Sequence, residues 1–155
     1  MSDLIEFERL RNHFSLILLK SRTKKTAMKI FITKTGVPCI LLNHGKRMIH
    51  TPSIKYIEGD GNYSNINVAN GESLISSFTL RLFSDQLKAN SNFFSPRKGL
   101  LVNLKFVKEV LTKSGALFAR LETGETLPLS RRKGRALIEY INDNELSIEI
   151  REAIK

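Results

Sequence analysis

The sequence predicts a mainly β fold: small antiparallel sheets made of hairpins, with short helices and one additional helix at the N-terminus. From residue 29 onward, short apolar segments recur, and several alternate with polar residues as half-buried strands do. Turn signals such as Asp60-Gly61-Asn62 and Asn70-Gly71 separate these segments at hairpin spacing. Since the segments follow one another without long intervening helices, a parallel βαβ sheet is not expected.

The predicted strands are identified by these apolar or alternating patterns. They lie at residues 29–33, 39–43, 53–59, 63–70, 73–76, 100–102, 106–112, 116–122 and 126–130, with residues 47–51 either a strand or a turn. Pro128 has no backbone N–H to donate, so its strand is expected at a sheet edge.

Three segments show helical spacing instead. Residues 3–19 carry Leu4, Phe7 and Phe14 on one stripe. A second helix begins near Thr79 and buries Leu80, Phe83 and Leu87, and a third covers residues 131–142 after the capping residue Ser130. The predicted organisation is an N-terminal helix and basic linker (1–28), a β-rich domain (29–142) and a tail (143–155) that forms an amphipathic turn or frays.

Charge and cysteine content narrow the functional class. The 155 residues contain 25 Lys and Arg against 15 Asp and Glu, a net charge of +10 that favours polyanions such as nucleic acid. The single cysteine, Cys39, can form no internal disulfide and fits a reducing, cytoplasmic compartment. The apolar run at residues 14–19 is too short to span a membrane.

Patterns of catalytic and metal-binding residues are missing from the sequence. The histidines are His13, His44 and His50. His44 and His50 are six residues apart with no Cys or carboxylate near enough to suggest a metal site, so no metal is expected. The glycines form neither a dinucleotide-binding nor a phosphate-binding loop. The sequence therefore predicts a protein without enzyme activity and without a cofactor.

Three short stretches offer nucleic-acid chemistry, because amide and guanidinium groups read base edges and cations bind phosphates. They combine polar turns, a strand framed by cations and an amide, and a basic helix start. The candidate residues are Asn62, Tyr63 and Ser64 in the first stretch, Arg97, Lys98, Asn103 and Lys105 in the second, and Ser130, Arg131, Arg132 and Lys133 in the third.

In this order, the same stretches resemble the LytTR DNA-binding domain of bacterial response regulators. Residues 54–63, IKYIEGDGNY, are similar to the family's I-x-Y-I-E-A-x-G-N-Y pattern, and a T-L-x-x-L type helix follows at Thr79. The stretch that ends at Asn103, FFSPRKGLLVN, corresponds to F-x-R-x-H-[RK]-S-x-L-V-N, and residues 124–131, GETLPLSR, to G-x-x-x-P-V-S-R. The resemblance covers about residues 29–141.

The resemblance implies a transcriptional regulator whose loops enter successive major grooves. It would bind direct repeats in duplex DNA as a pair of protomers, with a homodimer as the expected assembly. Arg131 and Asn103 would read bases, with Asn62 and Tyr63 as a third loop. The family's Arg-x-His is replaced here by Ser95-Pro96-Arg97, so the cations Arg97, Lys98, Lys105, Arg132 and Lys133 are assigned to phosphates. Too few residues precede the domain for a receiver, which implies a stand-alone regulator without a phosphorylated receiver aspartate.

Two other functions remain open from the sequence. A protein-interaction module would use the N-terminal helix, with the basic loops serving only solubility. An RNA-binding protein would need exposed aromatic residues for stacking, for which Tyr63 is the one candidate. Duplex binding measured against salt concentration separates the first alternative from DNA recognition.

Overall fold

A computed structural model describes residues 28–153 except 29, 43, 44, 88, 90 and 91, and it confirms the mainly β prediction. The predicted N-terminal helix lies outside the described residues. The strands are β1 (Ile30–Ile32), β2 (Pro38–Leu42), β3 (Arg47–His50), β4 (Ile54–Asp60), β5 (Tyr63–Val68), β6 (Ser73–Ser76), β7 (Phe93–Arg97), β8 (Leu100–Asn103), β9 (Val107–Lys113), β10 (Ala116–Leu121), β11 (Thr126–Leu129) and β12 (Glu149–Glu152). The helices are α1 (Leu80–Leu87) and α2 (Arg131–Asp143), with short 3-10 turns at Thr51–Ser53 and Leu104–Phe106.

The described strands form three small sheets. Their orders are β1-β2-β3, β6-β5-β4-β8-β7 and β11-β10-β9-β12, and every pair is antiparallel except β9 with β12. Strand β11 lies at an edge, as its proline predicts. The five-stranded sheet is central, because its strand β8 carries residues of both large core clusters.

Alternate residues of β8 explain this central position. Leu101 belongs to a cluster that includes Phe83 and Leu87 of α1, whereas Leu100 and Val102 belong to a cluster that includes Leu137 of α2. Side chains of neighbouring strand residues point to opposite faces, so β8 is buried on both. Burying each such side chain stabilises the fold by about 1.5–3 kcal/mol.

Helix α2 packs closely against the third sheet at its N-terminal end. A Cβ added at Gly134 would lie 2.7 Å from Leu117 Cδ1 and 3.3 Å from Leu129 Cβ, closer than side chains tolerate. Leu137 and Ile141 are buried on the same side of the helix. The absent side chain at residue 134 thus lets the charged start of α2 sit directly on the sheet.

Two strands differ from the sequence interpretation. Strand β7 was not predicted, and it contains Pro96 at a bulge between Phe94 and Arg97, which an edge strand tolerates. Strand β12 lies in the tail that was expected to form a turn or to fray. It pairs parallel with β9, and this is the one parallel pair among the described strands.

Candidate nucleic-acid interface

The turn between β4 and β5 presents polar side chains to solvent. Gly61 adopts a φ of +58°, a left-handed conformation that L-residues rarely take. The next residue, Asn62, is exposed, and Tyr63 exposes 57% of its surface. A Cβ at Gly59 would lie 3.1 Å from the Cβ of Leu80, so the end of β4 contacts the start of α1. The turn and the first turn of α1 therefore share one surface.

The turn between β7 and β8 lies beside the end of β4. It consists of Lys98, which is exposed, and Gly99, whose φ is +81°. The backbone N–H of Gly59 donates to the carbonyl oxygen of Gly99 over 3.0 Å. This hydrogen bond fixes the second polar turn next to the first.

The start of α2 joins the same surface through Ser130. The Oγ of Ser130 accepts from the N–H of Lys133 at 3.3 Å, which caps the helix. The N–H and Oγ of Ser130 both donate to the carbonyl oxygen of Pro96, at 3.1 and 3.3 Å. Arg131, Arg132 and Lys133 follow, all exposed, and the first turn of α2 contains no acidic residue.

An open groove of about 530 Å³ connects the three elements. Its lining includes Gly61 from the first turn, Lys98 from the second and Lys133 from α2. It also includes Arg81 from α1, which the sequence interpretation missed because it considered only the apolar stripe of that helix. We call this groove, together with the exposed cations of the first turn of α2, the basic face.

Arg97 lies within this region but is half-buried, and its guanidinium binds the protein itself. Its Nη2 donates to Glu58 Oε1 at 3.0 Å, its Nε to the carbonyl oxygen of Pro128 at 3.1 Å and its Nη1 to that of Lys98 at 3.2 Å. The expected phosphate contact would have to compete with all three bonds.

Two of the predicted contact residues are buried. Asn103 is 1% exposed, and its amide donates to Ile54 O at 3.0 Å and accepts from the N–H of Lys105 at 3.1 Å. Ser64 is fully buried, with its Oγ donating to Phe78 O at 2.8 Å. Both side chains already have partners inside the protein, so this geometry is incompatible with the expected base contact by Asn103 and with Ser64 as an exposed tip.

Lys105 is exposed but lies away from the basic face. It lines a second groove with Glu122 and Asn144, at the C-terminal end of α2. Lys133 and Asn144 are separated by about 16 Å along the helix at a rise of 1.5 Å per residue. The structure thus brings together the turn residues and the α2 cations but separates Lys105 from them.

An ion pair between a buried lysine and a half-buried glutamate lies at the same distant end. The Nζ of Lys55, whose side chain is 7% exposed, binds Oε1 of Glu125, and Thr123 donates to the other carboxylate oxygen. Burial alone would raise the pKa of Glu125, but the hydrogen bonds from Lys55 and Thr123 hold it below its ordinary value. Burial, together with the negative charges of Glu58 and Glu125, raises the pKa of Tyr56.

No three His, Cys, Asp or Glu side chains come together as metal ligands in the described part of the chain. Nor does it contain a helix long and apolar enough to cross a membrane.

Comparison with known proteins identifies the domain. The LytTr DNA-binding domain family matches residues 44–142. A solved structure of the LytTr DNA-binding domain of a methyl-accepting/DNA response regulator from Bacillus cereus has the same fold, with a TM-score of 0.53, 13% identity, and coverage of 76% of this chain and 98% of that one. No curated protein matches the chain. With its three sheets, its polar turns and a family match over most of its length, the chain belongs to the LytTR family of DNA-binding domains.

Proposed function

We propose that this protein is a sequence-specific transcriptional regulator that binds duplex DNA through the basic face. The observation that carries the proposal is the convergence of two polar turns and a basic helix start around one groove. Family membership supports DNA as the partner. The net charge of +10 adds a long-range attraction for a polyanion.

The electrostatics of α2 favour an anion at its start. Arg131, Arg132 and Lys133 stand at the positive end of the helix dipole, where cations are destabilising by a few tenths of a kcal/mol or more. A phosphate bound between these cations attracts both them and the helix N-terminus, so it offsets that cost. Arg131 is the candidate base reader, since guanidinium binds the guanine edge with two hydrogen bonds.

The other proposed DNA contacts follow from the positions of the exposed side chains. Asn62 and Tyr63 form a second reading element at the β4–β5 turn, where both are exposed. Lys98, Arg132 and Lys133 bind phosphates, and Arg81 joins them from α1. Asn103 and Ser64 serve the fold, because their polar atoms are satisfied internally.

Each protomer occupies one half-site, and two protomers on a direct repeat double the contacted sequence. A single module of this size covers only a short stretch of major groove, so a pair on adjacent helical turns supplies useful discrimination. We also place the protein in the cytoplasm, where its DNA is, in keeping with its lone cysteine.

Selection of bound duplexes from a random pool defines the cognate site, and affinities for cognate and random DNA are then measured against salt. Arg131→Ala should cost about 1–3 kcal/mol on the cognate site and relax specificity there. Lys133→Ala should weaken all sequences alike and flatten the salt slope by about 0.9. Lys108→Ala, which removes an exposed cation beyond Leu104–Phe106, is the matched control and should change neither.

Two outcomes would overturn the assignment. If Arg131→Ala discriminates cognate from random DNA as well as the wild type does, Arg131 does not read bases. If the wild type binds no duplex at low salt, the protein-interaction module built on the N-terminal segment becomes the better hypothesis.

A further inference from the structure

Arg97 lies where the three elements of the basic face meet. Its acceptors belong to three different segments: Glu58 near the end of β4, the Lys98 carbonyl in the β7–β8 turn, and the Pro128 carbonyl in β11 just before α2. A single side chain therefore spans the supports of all three elements.

The charge of Arg97 is matched inside the protein. Glu58 Oε1 lies 3.0 Å from its Nη2, and the side chains are 29% and 41% exposed for Arg97 and Glu58. An approaching phosphate would have to displace a carboxylate that is already bound. The side chain of Lys98, the next residue, is exposed.

The backbone next to Arg97 forms a second link between β7 and the start of α2. Pro96 sits in the β7 bulge and directs its carbonyl oxygen at both the N–H and the Oγ of Ser130. Since Ser130 is the N-cap of α2, the bulge determines where that helix begins relative to the β7–β8 turn. The Arg97 side chain and the Pro96 carbonyl thus hold the same two elements at adjacent points.

We propose that Arg97 is a positioning residue for DNA recognition, which sets the spacing between the two turns and the start of α2 through Glu58 and Pro128. This inference rests on the proposed function. It gives Arg97 a role other than the phosphate contact expected from sequence, and it adds Glu58, an acid on a DNA-facing surface, to the recognition machinery.

The role requires arginine and not merely a cation. A guanidinium donates from three nitrogens in a fixed plane, so it can hold three acceptors in one geometry. A lysine supplies a compact charge on a flexible stem and would keep the attraction to phosphate while losing the fixed spacing. Arg97→Lys therefore separates the two roles.

The first measurement needs no DNA. Amide hydrogen exchange followed by NMR reports the Ser130 N–H, which donates to Pro96, and the Ala69 N–H, which donates to Ser53 O at 2.8 Å in a different part of the fold. In Arg97→Lys and in Glu58→Gln, Ser130 should lose protection while Ala69 keeps it. Equal protection of Ser130 in the wild type and both variants would overturn the inference.

The second measurement uses the selected DNA site. Arg97→Lys and Glu58→Gln should each lower the ratio of cognate to random affinity by at least about fivefold, the lower end of what one base contact contributes, with an unchanged salt slope. If Arg97→Lys binds as the wild type does and Arg97→Ala flattens the slope by about 0.9, Arg97 is a phosphate contact and the inference fails.

The two measurements test the proposed function and the role of Arg97 independently of each other. A wild type that binds no duplex refutes the proposed function, and the exchange of Ser130 then decides alone whether Arg97 holds the three elements together. Thermal unfolding of each variant shows whether it is folded. Glu58→Gln keeps the test valid if Arg97 variants do not fold, because it weakens the contact by removing the negative charge that Arg97 binds.

Discussion

The two ends of strand β8 carry polar residues that look equivalent in the sequence and are opposite in the structure. At one end, Lys98 is exposed in a turn that borders the groove of the basic face. At the other, Asn103 is buried and holds the backbone of Ile54 and Lys105. One end can meet an external partner, whereas the other joins two strands and a 3-10 turn. A polar residue at the end of a strand therefore does not by itself indicate a DNA contact.

The residues around the two ends of β8 also differ. The Lys98 end is joined to α1 and to the start of α2, and its cations Arg81 and Lys133 line one groove. The Asn103 end contains the Lys55–Glu125 pair, in which the two charges neutralise each other. Exposed cations line the groove at the Lys98 end, beside the Arg97–Glu58 ion pair, and these cations favour a polyanion there.

The largest effect on stability is expected from a substitution at the Asn103 end of β8. Asn103→Ala removes the partners of Ile54 O and the Lys105 N–H, and two unsatisfied backbone groups should cost about 2–4 kcal/mol of unfolding free energy. Urea denaturation measures this, with the exposed Asn62→Ala as the matched control that should change stability by less than about 0.5 kcal/mol. Equal stability of the two variants would show that the amide is dispensable for the fold.

A smaller effect is expected from the ion pair at that end. Glu125→Gln leaves the buried Lys55 without its charge partner and should destabilise the fold by about 1–3 kcal/mol at pH 7. Because the folded pKa of Glu125 is below its ordinary value of 4.5, the difference from wild type should persist above pH 4.5 and shrink as pH falls through the folded pKa. Denaturation curves between pH 7 and pH 3 test this, and a difference independent of pH would contradict it.

The smallest effect compares two exposed lysines at opposite ends of β8. Lys98→Ala should flatten the salt dependence of DNA affinity by about 0.9, since one phosphate contact is lost. Lys105→Ala, which lies in the second groove, should leave the slope unchanged. Equal slopes for the two variants would show that the contacted surface is not confined to the basic face.

Much of the fold follows from local patterns. The Gly61 and Gly71 turns and the strand segments depend on residue preferences and on alternation, which act over a few residues. Helix α2 begins at Arg131, as its cap predicts. Strands β7 and β12 could not be found this way, because one contains a proline and a bulge and the other is fully exposed and pairs with a distant strand.

The candidate site was predictable as a set of loops but not in its details. Ser64 alternates with Tyr63 and lies on the same side of β5 as Ile66 and Val68, so the period of two already indicated its burial. Asn103 follows three buried residues of β8 and had no comparable signal. The tertiary contacts of Arg97 and the proximity of Arg81 depend on how the sheets stack, which local sequence does not determine.

The parallel pairing of β12 with β9 determines where the chain can be shortened. The family match ends at residue 142, which invites a shorter version of the protein. Such a version would lose Arg151, whose Nε lies 3.4 Å from Oε2 of the buried Glu109, and would uncover the hydrogen-bonding edge of β9. A bare strand edge favours pairing between molecules, so the shortened protein should aggregate where the longer one stays monodisperse.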